Sequence, residues 1–179
     1  MLDQPTIAGI ARFSREVLVA HLLGHESPPL DICPPIRHFG LFVTLRTAGH
    51  LRGCIGTFRN DGPIGSTLAR VVVESAQDSR FLGTPLSARD ISALRIEISL
   101  LSELSRIASP ADIHIGRHGI LLEHETHRGC FLPEVATQYG WDAETFVRQC
   151  CTQKMKIEFD PLLDGELMLH VFTVEKIEA

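Results

Sequence analysis

Residues 51–57, LRGCIGT, combine an apolar β-strand pattern with two glycines and one cysteine. Glycine weakens a strand, so Gly53 and Gly56 mark a bulge or a place where another group approaches the backbone closely. Alternate residues of a strand share a face, which makes Arg52 and Cys54 neighbours. A guanidinium beside a thiol favours the thiolate, so the pKa of Cys54 is expected below its usual value of about 8.5. The stretch therefore predicts a reactive thiol that a ligand reaches between the glycines.

A purely structural interpretation explains the same residues. Cys54 is then a small core residue, the glycines accommodate a bulky neighbour or a bulge, and Arg52 lies in solvent at the edge of the sheet. The sequence leaves both interpretations open.

The chain around this stretch predicts a hairpin between two helices. Two β-rich runs, 39–47 and 50–58, are joined by Ala48-Gly49, which favours a tight turn. A helix with apolar residues at helical spacing precedes them from Pro5 to Gly24, and a proline-rich connection follows it. After the hairpin, residues 60–63 predict a turn and residues 66–76 a second amphipathic helix.

The second half of the chain predicts more strands and two short helices. Residues 93–101 alternate as a half-buried strand, which places Glu97 on the face opposite Ile96 and Ile98. The remaining predicted elements are strands at 113–115 and 119–124, a helix over 132–139 ended by Gly140, a helix capped by Asp142, and one last strand over 167–177. This order predicts an α+β fold with a largely antiparallel sheet covered by helices.

Composition limits the class of protein. The 179 residues suit one domain, and a net charge of −5 argues against nucleic acid as a partner. No run approaches the roughly 20 apolar residues of a membrane span, and the first residues do not read as a secretory signal. Five cysteines without a disulfide-framework spacing favour reduced thiols. We therefore expect a cytoplasmic protein without a membrane partner.

Further residues with chemical potential lie outside the strand. Asp78 and Arg80 follow the second helix, where they either present a charge pair to a cleft or anchor a loop. The chain has no G-x-S-x-G elbow, no P-loop, no G-x-G-x-x-G motif and no iron–sulfur cysteine motif, so the sequence names no cofactor.

A histidine-rich segment follows, with His114, His118, His124, His127 and Cys130. The spacing His124-x-x-His127-x-x-Cys130 is similar to that of zinc ligands, but a site would need a turn at residues 126–128. Because exposed histidines are common in loops, no residue is assigned as a metal ligand. Metal sensing through this segment stays as the weakest alternative.

Six motifs occurring in one order make the chain resemble the AMMECR family. They are FGLFVTL (39–45), LRGCIGTF (51–58), AQDSRF (76–81), LRIEISLLS (94–102), IGRHGILLE (115–123) and GCFLPEVATQYGWDAETFVRQCC (129–151). The motifs cover about residues 38–151 of what we expect to be a single domain over 1–179. The C-terminal tail diverges, since CTQKMKIEFDPLL stands where the family commonly has a Lys-Ala-Gly-Leu segment and a tryptophan.

The resemblance implies two unequal subdomains, with the hallmark strand in the larger one, and no settled activity. It also implies a role beside a Memo-like protein and a radical S-adenosylmethionine enzyme. Within it, we expect Cys54 as a nucleophile or ligand and Glu97 as a proton acceptor. The expected ligand-binding residues are Arg52, Gly53, Gly56, Thr57, Asp78 and Arg80, with the two arginines anchoring a small polar or anionic ligand. The alternative is a non-catalytic interaction module; the sequence does not predict the oligomeric state.

Overall fold

The structure, a computed structural model, describes residues 2–34, 38, 40–58, 63–157 and 166–179, except for the side chain of Ile32. The chain divides into two compact units: Met1–Leu101 with Glu175–Ala179, and the smaller Ser102–Val174. Among the described residues, no helix has the length and apolar character needed to cross a bilayer. The predictions for Phe39 and for the turn at residues 60–62 lie outside the described residues.

In the part of the chain that the structure describes, four helices and eight strands form the two units. The helices are α1 (Gln4–Leu23), α2 (Ile64–Ala76), α3 (Pro133–Tyr139) and α4 (Ala143–Cys150). The strands are β1 (Gly40–Thr47), β2 (His50–Thr57), β3 (Leu94–Leu101), β4 (Ser105–Ile107), β5 (Gly119–His124), β6 (His127–Phe131), β7 (Met168–Phe172) and β8 (Val174–Glu178). The predicted α+β class is confirmed.

The first unit contains a four-stranded sheet in the order β2-β1-β3-β8. One face carries Leu41, Val43 and Leu45 of β1, all fully buried, together with Ile96 and Ile98 of β3. These residues form one apolar core with the buried faces of α1 and α2. The opposite, outer face of this sheet carries the alternate residues, including Glu97 as predicted.

The second unit contains a sheet in the order β4-β7-β5-β6. Its own core includes Ile120 and Leu122 of β5. Phe131 of β6 stacks on Phe146 of α4, with ring centroids 5.7 Å apart. Each unit therefore has its own hydrophobic core.

Local capping residues mark the helix ends, and those at Gly24, Gly140 and Asp142 were predicted from the sequence. Asp3 accepts a hydrogen bond from the Thr6 amide at the start of α1, and Gly24 ends that helix with a φ of 70°. Asp142 accepts from the Thr145 amide at the start of α4. Gly140 ends α3 with a φ of 65°.

The hairpin of β1 and β2 is confirmed, with an irregularity that the sequence did not predict. Ala48 and Gly49 both have positive φ, 49° and 82°, as a type I′ turn requires. Beyond the turn, Arg46 lies opposite Leu51 and Leu45 lies opposite Gly53. Arg52 is therefore an extra residue, and the strand bulges at this position.

Two predicted strands are wrong. Residues 113–115 lie in an irregular segment and a turn, in which the His118 amide donates to the carbonyl of His114. Residues 167–177 form two strands, β7 in one sheet and β8 in the other, divided at Thr173. Thr173 exchanges two hydrogen bonds with Ser102, which replace ladder bonds at the break. Strands β4 and β6 were not predicted.

Gly53 is required by packing between β2 and α2. A Cβ at this position would overlap the carbonyl oxygen of Ser75, at the end of α2. The Ser75 hydroxyl also donates to the Val43 carbonyl and accepts from the Ile55 amide, at 3.1 and 3.3 Å. The backbone of α2 therefore occupies the space that a ligand was predicted to enter at Gly53.

We expect Gly53→Ala to lower the free energy of unfolding by more than about 3 kcal/mol, because the clashing atom belongs to rigid backbone. Gly83→Ala is the control, since nothing lies within 4 Å of its added Cβ, and a change below about 1 kcal/mol is expected there. Denaturant unfolding of both variants measures the difference. Equal losses of stability would refute the packing explanation.

Candidate functional site

Strand β2 lies at the edge of its sheet, and two side chains from the loop after α2 bind the backbone of Cys54. The Cys54 amide donates to Asp78 Oδ2 over 3.0 Å, and Arg80 Nη2 donates to the Cys54 carbonyl over 2.7 Å. An edge strand otherwise leaves such groups unpaired. We call Asp78 and Arg80 the edge clasp, because together they replace a neighbouring strand.

The edge clasp is held together by its own charges. The Asp78 side chain is 2% exposed and accepts from the Arg80 amide, Nε and Nη2 at 3.1, 3.0 and 2.6 Å. These bonds, chiefly those from the guanidinium, hold the pKa of Asp78 well below its usual range. Asp78 in turn raises the pKa of Arg80, and so, to a smaller extent, does Cys54. Arg80 is therefore a guanidinium that interacts with Cys54.

Arg52 does not take the position predicted for it. Because the strand bulges at Arg52, the alternation of faces breaks there, and its pairing with Cys54 by parity is wrong. Its guanidinium donates to Thr47 Oγ1 at 2.7 Å, to the Thr84 carbonyl at 2.9 Å and to Asp90 at 3.3 Å. Arg52 thus anchors the segment around residues 84–90.

The predicted roles of the glycines also need correction. A Cβ at Gly56 would overlap the ring of Phe42, so both glycines make room for the chain itself rather than for a ligand. Thr57 lies opposite Leu41, a core residue, and is therefore on the face away from Cys54. The structure does not bring these three residues together with the cysteine side chain.

Cys54 and Glu97 do lie in one row across the outer face of the sheet. Thr44 of β1 is directly opposite Cys54 on one side and Glu97 on the other. Its hydroxyl oxygen is 3.4 Å from Cys54 Sγ. Lys176 of β8 extends the row with an ion pair to Glu97 of 3.1 Å. A half-buried thiol, a hydroxyl and a carboxylate are thus aligned on neighbouring strands.

A cavity of about 280 Å³ opens beside this row, within the first unit. Its lining includes Thr44 and Glu97 from the row, together with Arg46, Arg95 and Glu178. Cys54 does not line the cavity, because Thr44 lies between them. A ligand in the cavity would therefore reach the sulfur past the Thr44 hydroxyl.

Arg46 and Arg95 form an unusual cross-strand pair at this cavity. They lie directly opposite each other on β1 and β3. Like charges in this arrangement destabilise a sheet. Arg46 donates to the Gly49 carbonyl at 3.3 Å, and among the described residues neither guanidinium has a carboxylate within 4.0 Å. The pair therefore offers two guanidinium groups without a direct ion pair, at a cavity that the carboxylates of Glu97 and Glu178 also line.

The other cysteines are poor candidates for chemistry. Burial raises the pKa of Cys33 to about 11 and that of Cys130 to about 12, and it raises the pKa of Cys150 further. Cys151 is fully buried. Reactive cysteines are partly exposed and lie near cations. Cys54 is half-buried and lies beside Arg80, which is itself ion-paired with Asp78.

Thr44, Arg46 and Arg95 were missed by the sequence analysis. Arg95 shares a face of β3 with Glu97, which the sequence analysis had named. Thr44 and Arg46 share a face of β1 with each other. The signal was present in the period of two. The sequence did not give the hairpin register. An unbulged two-residue hairpin would place Thr44 opposite Gly53, whereas in the structure Thr44 is opposite Cys54.

Comparison with known proteins agrees with the motifs. The AMMECR1 family model matches residues 11–177, and the chain belongs to this family. A Methanothermobacter thermautotrophicus protein is 32% identical over 176 residues, covering 93% of this chain and 90% of its own. A Pyrococcus furiosus protein is 31% identical over 183 residues, covering 94% and 86%. The crystal structure of an uncharacterized protein from Pyrococcus horikoshii, 28% identical, matches with a TM-score of 0.83 over 99% of this chain and 93% of that one.

We expect Asp78→Asn to lower the free energy of unfolding at neutral pH by about 2–3 kcal/mol, because an amide cannot replace a carboxylate that accepts charge-assisted bonds from Arg80. The folded-state pKa of Asp78 is depressed, so its contribution is fully present above the unfolded-state pKa of about 3.9 and is lost as the pH falls through the folded-state pKa. Denaturant unfolding at a series of pH values measures both effects.

The stability difference between wild type and Asp78→Asn should therefore shrink below about pH 4. Asp31→Asn, at an exposed carboxylate, is the control and should have little effect at any pH. A difference that stays constant down to pH 2 would contradict a charged edge clasp.

Proposed function

We propose that this AMMECR1-family protein binds a small anionic ligand in the cavity beside Thr44 and Glu97, as an enzyme or an accessory enzyme component. The observation that supports this most is the pair of Arg46 and Arg95, whose mutual repulsion a bound anion would offset. The planar guanidinium fork matches carboxylate and phosphate groups. These two arginines replace Arg52 and Arg80 as the proposed anion anchors.

The row of Cys54, Thr44 and Glu97 suggests a separate chemical role for each side chain. Cys54 is the proposed nucleophile: its sulfur would form a bond to the carbonyl carbon of a ligand held by the arginines, while the π electron pair of that carbonyl moves to its oxygen. Arg80 binds the Cys54 carbonyl, and Thr44 donates to the sulfur from the side of the cavity. Glu97 would accept the proton released by the reacting group. Lys176 holds the carboxylate in place.

The partner role remains part of the proposal. The family resemblance supports action beside a Memo-like protein and a radical S-adenosylmethionine enzyme, with this chain supplying or holding a small ligand. In the alternative, a non-catalytic interaction module, association would need neither the cavity nor the thiol. Co-purification of the Cys54→Ala and Arg95→Gln variants with such partners, together with the activity of the assembly, separates the two roles. A scaffold would retain both partner binding and the activity of the assembly, whereas a ligand-binding component would retain the partners and lose the activity.

The positive charge of Arg46 and Arg95 should affect the rate at which Cys54 is alkylated by an anionic reagent. We expect the ratio of the iodoacetate rate to the iodoacetamide rate at Cys54 to be about five-fold higher in the wild type than in Arg46→Gln/Arg95→Gln, because only iodoacetate is an anion. Rates are measured by mass spectrometry of the Cys54 peptide. The difference should decrease as salt is added, since screening shortens the reach of the arginines.

Arg12→Gln provides the control, because Arg12 is an exposed arginine on α1, outside the lining of the cavity. It should leave the ratio unchanged. The anion-binding proposal would be overturned by a double variant with the wild-type ratio. Faster modification of another cysteine than of Cys54 would remove Cys54 as the proposed nucleophile.

A further inference from the structure

We propose that His124, Glu125 and His127, at the turn between β5 and β6, form a zinc-binding site. One ring nitrogen from each histidine and one carboxylate oxygen lie within 4.8 Å of one another. The site lies in the second unit and is independent of the proposed function of the cavity. It keeps His124 and His127 of the histidine-rich segment considered from the sequence and has Glu125 in place of Cys130.

The hairpin places the two histidines together. His124 and His127 are directly opposite each other, flanking the two-residue turn of Glu125 and Thr126. Opposite residues of an antiparallel pair have their Cβ atoms about 5 Å apart on the same face. Tetrahedral zinc with bonds of about 2.1 Å holds its ligand atoms about 3.4 Å apart. Side-chain rotations alone can close the remaining gap.

The backbone of Glu125 is an independent indication. Its φ of 50° lies in the left-handed region, which glycine, asparagine and aspartate adopt at lower cost than glutamate. In a two-residue hairpin turn this position favours glycine. A glutamate that bears this cost is explained if its carboxylate is needed beside the imidazoles.

The donor set is one that zinc uses. Two imidazoles and one carboxylate form a set that zinc uses when a fourth position stays open for water or a ligand. Cys130 does not belong to it, because it lies three residue pairs further along the ladder, opposite Leu121. Burial also keeps Cys130 in its thiol form, with a pKa raised to about 12. Of the two histidines, His124 is 5% exposed and fixed in the fold, whereas His127 is exposed and free to adjust.

Calorimetric titration of the full chain with zinc, after removal of metal by a chelator, tests the site. We expect one zinc ion per chain, and His127→Ala should weaken binding by more than about 100-fold, beyond the loss of an outer-shell partner. His114→Ala, which removes an exposed histidine of the same unit, should bind as the wild type does. Equal affinity of His127→Ala and wild type would overturn the proposal.

Glu125→Gly separates a ligand from a residue that merely shapes the turn. Glycine relieves the left-handed strain, so the variant should have a higher melting temperature than wild type without zinc. It should show a smaller rise in melting temperature when zinc is added, because a ligand is lost. A variant that keeps the full zinc-dependent rise would remove Glu125 from the site.

Cobalt substitution identifies the donors. With two nitrogens and an oxygen, the cobalt-loaded chain should lack the sulfur-to-cobalt charge-transfer band that a thiolate ligand produces. If the wild type shows this band and Cys130→Ser loses it, the metal is bound by the cysteine, and the site at the turn is refuted.

Discussion

The backbone of Cys54 is held by one buried carboxylate, and the outer face of the first sheet depends on that contact. Burying Asp78 carries a desolvation cost, which its bonds from Arg80 and from the Cys54 amide offset. Without the edge clasp, β2 would end the sheet with unpaired amide and carbonyl groups. The contact therefore fixes the strand and brings a guanidinium to the thiol at the same time.

Most of the LRGCIGT stretch is explained by structure. Gly53 admits the carbonyl of Ser75, Gly56 admits the ring of Phe42, and Arg52 is the bulged residue that anchors the segment around 84–90. Of the original motif, only the Cys54 side chain remains available on the outer face beside charged groups. The residues proposed to choose a ligand lie on the neighbouring strands β1 and β3.

The sequence predicted what local signals determine. Gly24, Gly140 and Asp142 mark helix ends through contacts within a few residues, and Ala48-Gly49 marks the hairpin in the same way. The bulge at Arg52 was not predictable, because the Arg52 side chain bonds to Asp90, which is 38 residues away in the sequence. The break at Thr173 likewise depends on Ser102, 71 residues earlier. Period-two patterns assign faces correctly until such a distant contact shifts the register.

Two cross-strand pairs of charged residues on the outer face of the first sheet can be compared with each other. Glu97 and Lys176 neutralise each other across strands, which is the arrangement of charges that stabilises a sheet. Arg46 and Arg95 are a like-charged pair on the same face, at a cavity that Glu97 also lines. If stability were the only constraint, a carboxylate at either position would repeat the solution found beside it. The like-charged pair is therefore the feature of this face that sheet stability alone does not explain, and the proposed anion site is based on it.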